Sequence, residues 1–404
     1  MSTTQTPTLP TKELITNDDQ IITDTFDALF GYKNFRNVMF AYTTSEITQF
    51  IQSYIFAFAY SHITQTQITN YLTDRKKLSD MFDHFKRITV GGEQHSNEWF
   101  VERNKRITAS SIGTVIKNTQ SNTYKKLLCE KFEPSVVRKF RGSPATIWGT
   151  MFEPVAREIY SQKNKVNVME YGLIPHQKYE FIGASPDGVT DTGLLLEIKC
   201  PYSRNITNKI PKHYYEQVQH QLEVCDYNKC HYAEFVFGKD IDEQHWLESF
   251  KYDNTTIRGV ILLFTLIDDN YQYHDEYEYS PLLETNTQFE QFVENDWINK
   301  TIKLKKSQIE EKEKQRQKQS KTGQSTFELV GIEQKKWSLE SYNVKLVERS
   351  REWFADALPK MKDFMNKVNH YKTFKKPLEQ FKRDTGFEYG KKKVTDEIPN
   401  ELAF

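Results

Sequence analysis

The chain has 404 residues, of which 37% are hydrophobic and 14% aromatic, and its 55 Lys and Arg are matched by 55 Asp and Glu. That is material for one large core with additions or for two to three domains, and the balanced charge excludes a globally basic nucleic-acid binder, so any such surface has to be local. The longest apolar run, residues 54–60, falls far short of the roughly 20 residues a membrane helix needs, and 4 cysteines in so long a chain make no disulfide framework, so a reducing, intracellular compartment is expected.

Residues 1–24 lack a basic stretch followed by an apolar core, which argues against a secretory signal, and are expected to be a disordered arm. Ile47, Phe50, Ile51, Tyr54, Ile55 and Phe58 then follow the i, i+3, i+4 rhythm of an amphipathic helix, with Ser45 as its expected N-cap. A second helix is expected over residues 67–85, and Gly91-Gly92 breaks the pattern, so residues 25–92 are read as a helical N-terminal region. Residues 96–239 alternate helical and strand-like patterns and hold every motif with chemical content. Residues 240–340 are read as an insertion, acidic and then basic. Residues 268–296 carry 9 carboxylates and no Lys or Arg, whereas residues 301–321 carry 8 cations against 3 anions, in a run expected to be a solvated helix or a linker. A strand over 342–347 and a helical stripe of Trp353, Leu358, Met361, Phe364, Met365 and Val368 make up residues 341–374, and 375–404 form a polar tail.

Chemistry concentrates in residues 181–200, which read as an apolar strand, a Gly/Asp/Thr turn and a second strand. The turn returns Asp187 to the neighbourhood of Glu197, and the two-residue period of a strand puts Glu197 and Lys199 on one face while Ile198 points into the core. Two carboxylates converging on one spot repel unless a hard cation lies between them, and Mg²⁺ is held by one or two carboxylates plus water and substrate phosphate. Such a site polarises a phosphoryl oxygen and a bound water, with Lys199 orienting that water or stabilising charge on the phosphate, which is the chemistry of phosphodiester hydrolysis. A surface Glu/Lys pair is the plain alternative for an isolated E-x-K, but Ser185-Pro186-Asp187-Gly188 upstream favours the site. Glu153 borders the apolar stripe of Phe152, Val155, Ala156 and Ile159. From there it either reaches the buried site or is a surface carboxylate favoured by the helix dipole. Gln217 and Gln221 fall on one face of a helix and Val218 and Leu222 on another. Cys225, Cys230 and His231 lack the paired spacing of a zinc site and are read as buried or idle groups.

Four blocks in order, Trp99-x3-Arg103 leading to Ile107-Thr108-Ala109-Ser110, Trp148-Gly149-x3-Glu153, Ser185-Pro186-Asp187-Gly188 to Lys199-Cys200-Pro201, and Tyr215-x-Gln217-Val218-Gln219, resemble the PD-(D/E)xK nucleases of the lambda-exonuclease and YqaJ-type viral recombinase family. Val344 to Arg349 and the Trp353 helix resemble its closing strand and helix. The resemblance implies an α+β or α/β restriction-endonuclease-like core, a central mixed sheet flanked by helices, to which this chain adds the N-terminal region and the insertion. It implies metal ligation by Asp187, Glu197, Glu153 (directly or through water) and the Ile198 carbonyl, with Mg²⁺ as cofactor and Mn²⁺ as a possible substitute. Lys199 becomes the catalytic lysine, and Gln217 or Gln219 faces the site, Gln219 being slightly preferred. A 5′-phosphate pocket is implied at Arg103 and Ser110, with Ser185 and Arg204 placed there by position. Arg103 offers a bidentate fork, and Ser110 lies near a helix N-terminus that favours anions.

The expected function is hydrolysis of duplex DNA from a 5′ end, leaving 3′ single strands for an annealing or single-strand-binding partner in viral replication and recombination, inside a host cell. Both a trimeric ring, as in the phage enzyme, and a monomer stay open. An endonuclease or a nuclease module of a repair complex is the second reading; the chain shows no P-loop, so a separate helicase would be needed. A non-catalytic DNA-end-binding module would be marked by loss of Asp187, Glu197 or Lys199, and all three are present. The acidic stretch is expected to face away from DNA, either serving a protein partner or simply solvated.

Overall fold

Ile47, Ile51 and Ile55 recur one turn apart, and all three are fully buried in helix α1 (Thr44–Ala57) of the computed structural model. The structure describes residues 42–390 except 58–62, 93, 95, 137–142, 240, 269–270 and 319–326, and before them Ile22, Thr25, Phe26, Leu29, Phe30 and Val38. Thr43 rather than Ser45 caps α1: its hydroxyl accepts the Glu46 N–H at 3.3 Å while the Glu46 carboxylate accepts the Thr43 N–H at 2.7 Å. Helix α2 (Gln65–Ile88) opens on the matching Thr64/Gln67 capping box. Its first half, through Ile68 and Leu72, closes a cluster with α1, Phe26 and Ile22, the one described residue of the expected disordered arm. Its second half enters the main core, where Phe85 stacks on Tyr227 at 5.8 Å. The expected boundary at residue 92 therefore cuts through one packed body.

In chain order there follow α3 (Asn97–Asn104), β1 (Ile107–Thr108), α4 (Ala109–Val115), α5 (Asn122–Phe132), α6 (Pro144–Asn164), β2 (Val168–Met169), β3 (Ile174–Pro175), β4 (Ile182–Ala184), β5 (Gly188–Thr190), β6 (Leu195–Lys199), α7 (Lys212–Val224) and β7 (Lys229–Phe237). After them come α8 (Glu243–Tyr252), β8 (Arg258–Asp268), β9 (Tyr273–Tyr279), α9 (Asn286–Glu294), α10 (Trp297–Lys318), β10 (Phe327–Glu348), α11 (Arg351–Lys372) and α12 (Pro377–Thr385). A 7-stranded mixed sheet runs β2-β5-β6-β7-β10-β8-β9, with β6 and β7 parallel, and a 3-stranded sheet runs β1-β4-β3. The expected apolar strand of the 181–200 segment thus belongs to the small sheet, and the hairpin that carries the chemistry is β5–β6. Gly188 opens β5 because a Cβ there would come within 2.3 Å of Val168 on β2.

Both faces of the large sheet are covered. Leu196, Ile198, Ala233 and Phe235 meet the α6 stripe of Trp148, Phe152, Val155 and Ile159, whereas Leu195, Cys230 and Tyr232 meet α7 and α11. All six residues of the expected stripe at 353–368 pack into that second core from α11.

Three expectations change in the C-terminal half. The closing strand expected at 342–347 is the end of β10, a 22-residue strand that pairs with β8 over its first half and β7 over its second. Residues 240–340 consequently extend the large sheet and do not hang from it. The two charge runs meet in space: Lys305 of α10 pairs with Glu276 and Glu278 of β9 at 2.8 and 2.7 Å. Within the expected polar tail, α12 buries Phe381 against Tyr371 at 4.8 Å. Among the described residues no helix is long and apolar enough to cross a membrane.

Candidate active site

The register Gly188↔Leu196 brings Asp187 alongside Glu197, and the Asp187 carboxylate accepts the Ile198 N–H at 2.7 Å. Glu197 is fully buried. Its Oε1 accepts from Gln217 at 2.5 Å and from Lys199, and its Oε2 accepts from Gln221 at 2.6 Å. The two glutamines stand on the expected common face of α7, but that face is turned onto β6 and not to solvent. Gln219 points the other way: it donates to the Glu348 carbonyl and accepts the Ser350 N–H, each at 2.7 Å, tying α7 to the β10–α11 junction. The preference for Gln219 is thereby corrected, because a two-residue step turns a helix by about 200°.

Glu153, from the first half of α6, lines an open cavity of about 380 Å³ together with Asp187, Ile198, Lys199, Arg204 and Tyr214. Arg157, one turn on, lies 3.6 Å from Glu153 and also pairs with Glu170. Burial and then repulsion from Glu197 and Glu153 hold the Asp187 carboxyl well above the ordinary aspartate range. Burial likewise raises Glu153, against the pull of Arg157 and Lys199. For Lys199, burial favours the neutral amine, but Glu197 and Asp187 outweigh it, so the ammonium is held. Negative charge in excess is thus the site's electrostatic signature. Among the described residues no three His, Cys, Asp or Glu side chains converge closely enough to hold a metal in this arrangement, since Glu197 is turned to its amide and ammonium donors.

A second group forms beside α3. Arg103 donates to the Ser110 hydroxyl at 2.9 Å and lies over the Trp99 ring at 4.2 Å, while the Trp99 indole N–H donates to the Ser185 hydroxyl at 3.0 Å. Burial pulls the Arg103 guanidinium down to about 10, which leaves it charged at neutral pH. Among the described residues no carboxylate pairs with it. Arg204, expected with this group, is instead held at 2.6 Å by the buried Glu234 on the rim of the carboxylate cavity. Sequence reasoning did not assign a site role to Gln221, Arg157 or Lys131. Lys131 is buried and donates to the Arg103 and Arg106 carbonyls at 2.6 and 2.7 Å, closing the end of α3. Gln221 left a signal in the helix face it shares with Gln217, and Arg157 in its place one helical turn from Glu153.

A family model described as the YqaJ-like viral recombinase domain matches residues 98–228, the stretch that holds the four blocks. An uncharacterised protein of Acanthamoeba polyphaga mimivirus is 30% identical over 249 residues, 51% of this chain and 43% of that protein. A protein of African swine fever virus is 24% identical over 161 residues, 32% of this chain and 46% of that protein. The chain therefore spans less than half the length of these curated relatives. The exonuclease LHK-Exo of Laribacter hongkongensis, solved with dAMP, is 18% identical and aligns over 72% of this chain and 98% of its own, with a TM-score of 0.38. The matched segment contains Glu153, Asp187, Glu197, Lys199, Gln217 and the Arg103 group, while the β10–α11 junction that holds Gln219 lies beyond it.

Proposed function

We propose that the chain is a metal-dependent deoxyribonuclease that hydrolyses duplex DNA from a 5′ end and leaves 3′ single strands. The observation that carries this reading is the buried excess of carboxylate charge around one ammonium at an open cavity. Glu153, Asp187 and Glu197 are hard oxygen donors whose mutual repulsion a divalent cation relieves, so the donor set fits Mg²⁺, with Mn²⁺ as substitute. Asp187, Glu153, Glu197 and the Ile198 carbonyl are the groups that would hold it, Glu197 after releasing part of its hydrogen bonding. Bound there, it would supply charge compensation and a water of lowered pKa.

The chain's own groups do the rest. Lys199, kept protonated by Glu197 and Asp187, presents a donor to the attacking water or to the phosphate oxygens as charge develops. Gln217 and Gln221 fix Glu197 from behind. Arg103, half-buried and paired with no carboxylate among the described residues, is suited to a terminal phosphate, with Ser110 beside it and Ser185 linked to it through Trp99. The single-stranded product suits a separate annealing protein, in a host cell infected by a virus.

Digestion of duplex DNA labelled at either terminus, in Mg²⁺, tests this reading. Nucleotides should be released from the 5′ end, faster with a 5′-phosphate than with a 5′-hydroxyl, and Arg103→Ala should remove most of that difference. Cutting of covalently closed circles at a comparable rate would instead identify an endonuclease.

A further inference from the structure

We propose that Arg75 and Gln94 form a two-point clamp on β5 that positions Asp187, making them positioning residues for hydrolysis. The inference rests on the nuclease reading for its kinetic consequence, but the clamp itself does not.

Asp187 sits between Pro186 and the three-residue strand β5, whose far end turns at Asp191. Each end is gripped from the same N-terminal segment. Before Asp187, the Gln94 amide donates to the Pro186 carbonyl at 3.2 Å and to the Tyr171 carbonyl at 2.8 Å. After β5, Arg75 of α2 donates to the Asp191 carbonyl at 3.0 Å and its carboxylate at 3.1 Å, and Asn167 adds a bond to that carboxylate at 2.9 Å. Arg75 and Asp191 are only 17% and 15% exposed, so this is a shielded contact and not a solvated surface pair.

The clamp has a firm base. Phe82 and Phe85 on the same helix are buried in the main core, and Val90 pairs with Leu173, so displacement of α2 would have to break core packing. By contrast β5 has little of its own: two residues of register to β2 and two to β6. Burial and the charges of Glu197 and Glu153 press on Asp187, and a strand so short needs external restraint to hold it against them. Its direct bond is the Ile198 N–H, which makes that amide a built-in reporter of where the carboxylate stands.

The test uses the full chain with Arg75→Ala, Gln94→Ala and Arg75→Lys, below their unfolding temperatures. Hydrogen exchange at the Ile198 amide should accelerate at least tenfold in both alanine variants and recover in part in Arg75→Lys. On Mg²⁺ and duplex DNA, kcat should fall about 10- to 100-fold while KM changes little, as expected when reacting groups are misplaced by fractions of an ångström. An Arg75→Ala/Asp191→Ala double variant should lose no more than the worse single one. Wild-type exchange at Ile198 with wild-type kcat in folded Arg75→Ala and Gln94→Ala would overturn the clamp, as would a lowered Tm with both readouts unchanged. A wild-type chain inert on every DNA would overturn the nuclease reading alone, leaving the exchange result to judge the clamp.

Discussion

Glu197 and its three donors show what a single residue's direction decides. Gln217 and Gln221 stand on one face of α7 and both reach Glu197, while Gln219 between them bonds to the start of α11. The sequence period predicts that Gln217 and Gln221 share a face; it does not say that the face is buried, because a polar stripe aimed at a buried carboxylate has the same spacing as one aimed at water. Gln219→Ala should therefore cost about 1–3 kcal/mol of stability, by stranding the Glu348 carbonyl and Ser350 N–H, and leave kcat nearly unchanged. Gln217→Ala should do the opposite, lowering kcat at least about tenfold, as for loss of a group supporting the reacting centre, with a smaller change in Tm. Denaturant melts and steady-state kinetics of the two variants check this, and a reversal of the two effects would return Gln219 to the site.

At the scale of elements, β10 changes what residues 240–340 are. The pattern at 342–347 was legible as a strand because Tyr342, Val344 and Leu346 alternate with Asn343 and Lys345. Its extension back to Phe327 was not, because Leu329 and Ile332 stand three apart among Glu328, Glu333, Lys335 and Lys336, a spacing that reads equally as a continuation of the preceding charged helix. Nor does charge counting along a chain reveal that Lys305 folds back on Glu276 and Glu278. These contacts build the acidic run, expected only to face away from DNA, into the fold itself. Deleting residues 268–296 would strip β9 from β8 over seven paired positions and remove Tyr277 and Tyr279, which pack against the core cluster beside α6. The deletion should yield a protein that aggregates or melts well below the wild type, seen by scattering and thermal melts. A deletion with the wild-type Tm would mean the strand is dispensable. The milder Lys305→Glu should destabilise by about 1 kcal/mol or somewhat more, since it sets three carboxylates together at a partly exposed site.

For the whole molecule, the site is a place where stability is given up, and pH shows it. The Asp187 carboxyl is raised in the folded chain, so the folded state binds its proton more tightly than the unfolded state does. Its contribution is fully present below the unfolded value of about 3.9 and is lost as pH rises through the higher folded value. Without metal, the wild type should therefore lose stability over the range above pH 4, and Asp187→Asn should remove that loss. The variant should melt above the wild type at neutral pH and converge with it in acid, whereas Mg²⁺ should stabilise the wild type and not the variant. Equal melting at both pH values would show that the carboxylate is not strained. Much of this was legible in residues 181–200, whose turn and two-residue period bring Asp187, Glu197 and Lys199 together. What was not legible lies far away in the chain, in Arg75 and Gln94, because side chains that converge only in three dimensions leave no local spacing to read.

The central claim, that Asp187 and Lys199 act on DNA phosphate at a metal-assisted site, is tested most directly by single-turnover digestion of 5′-phosphorylated duplex across a Mg²⁺ titration, with wild type, Asp187→Asn and Lys199→Met. The wild type should show Mg²⁺-dependent release of nucleotides. Asp187→Asn should lose it with weakened Mg²⁺ dependence, and Lys199→Met should stay inactive at saturating Mg²⁺, because its role is to orient water or phosphate and not to bind metal. Wild-type rates from either folded variant would contradict the account.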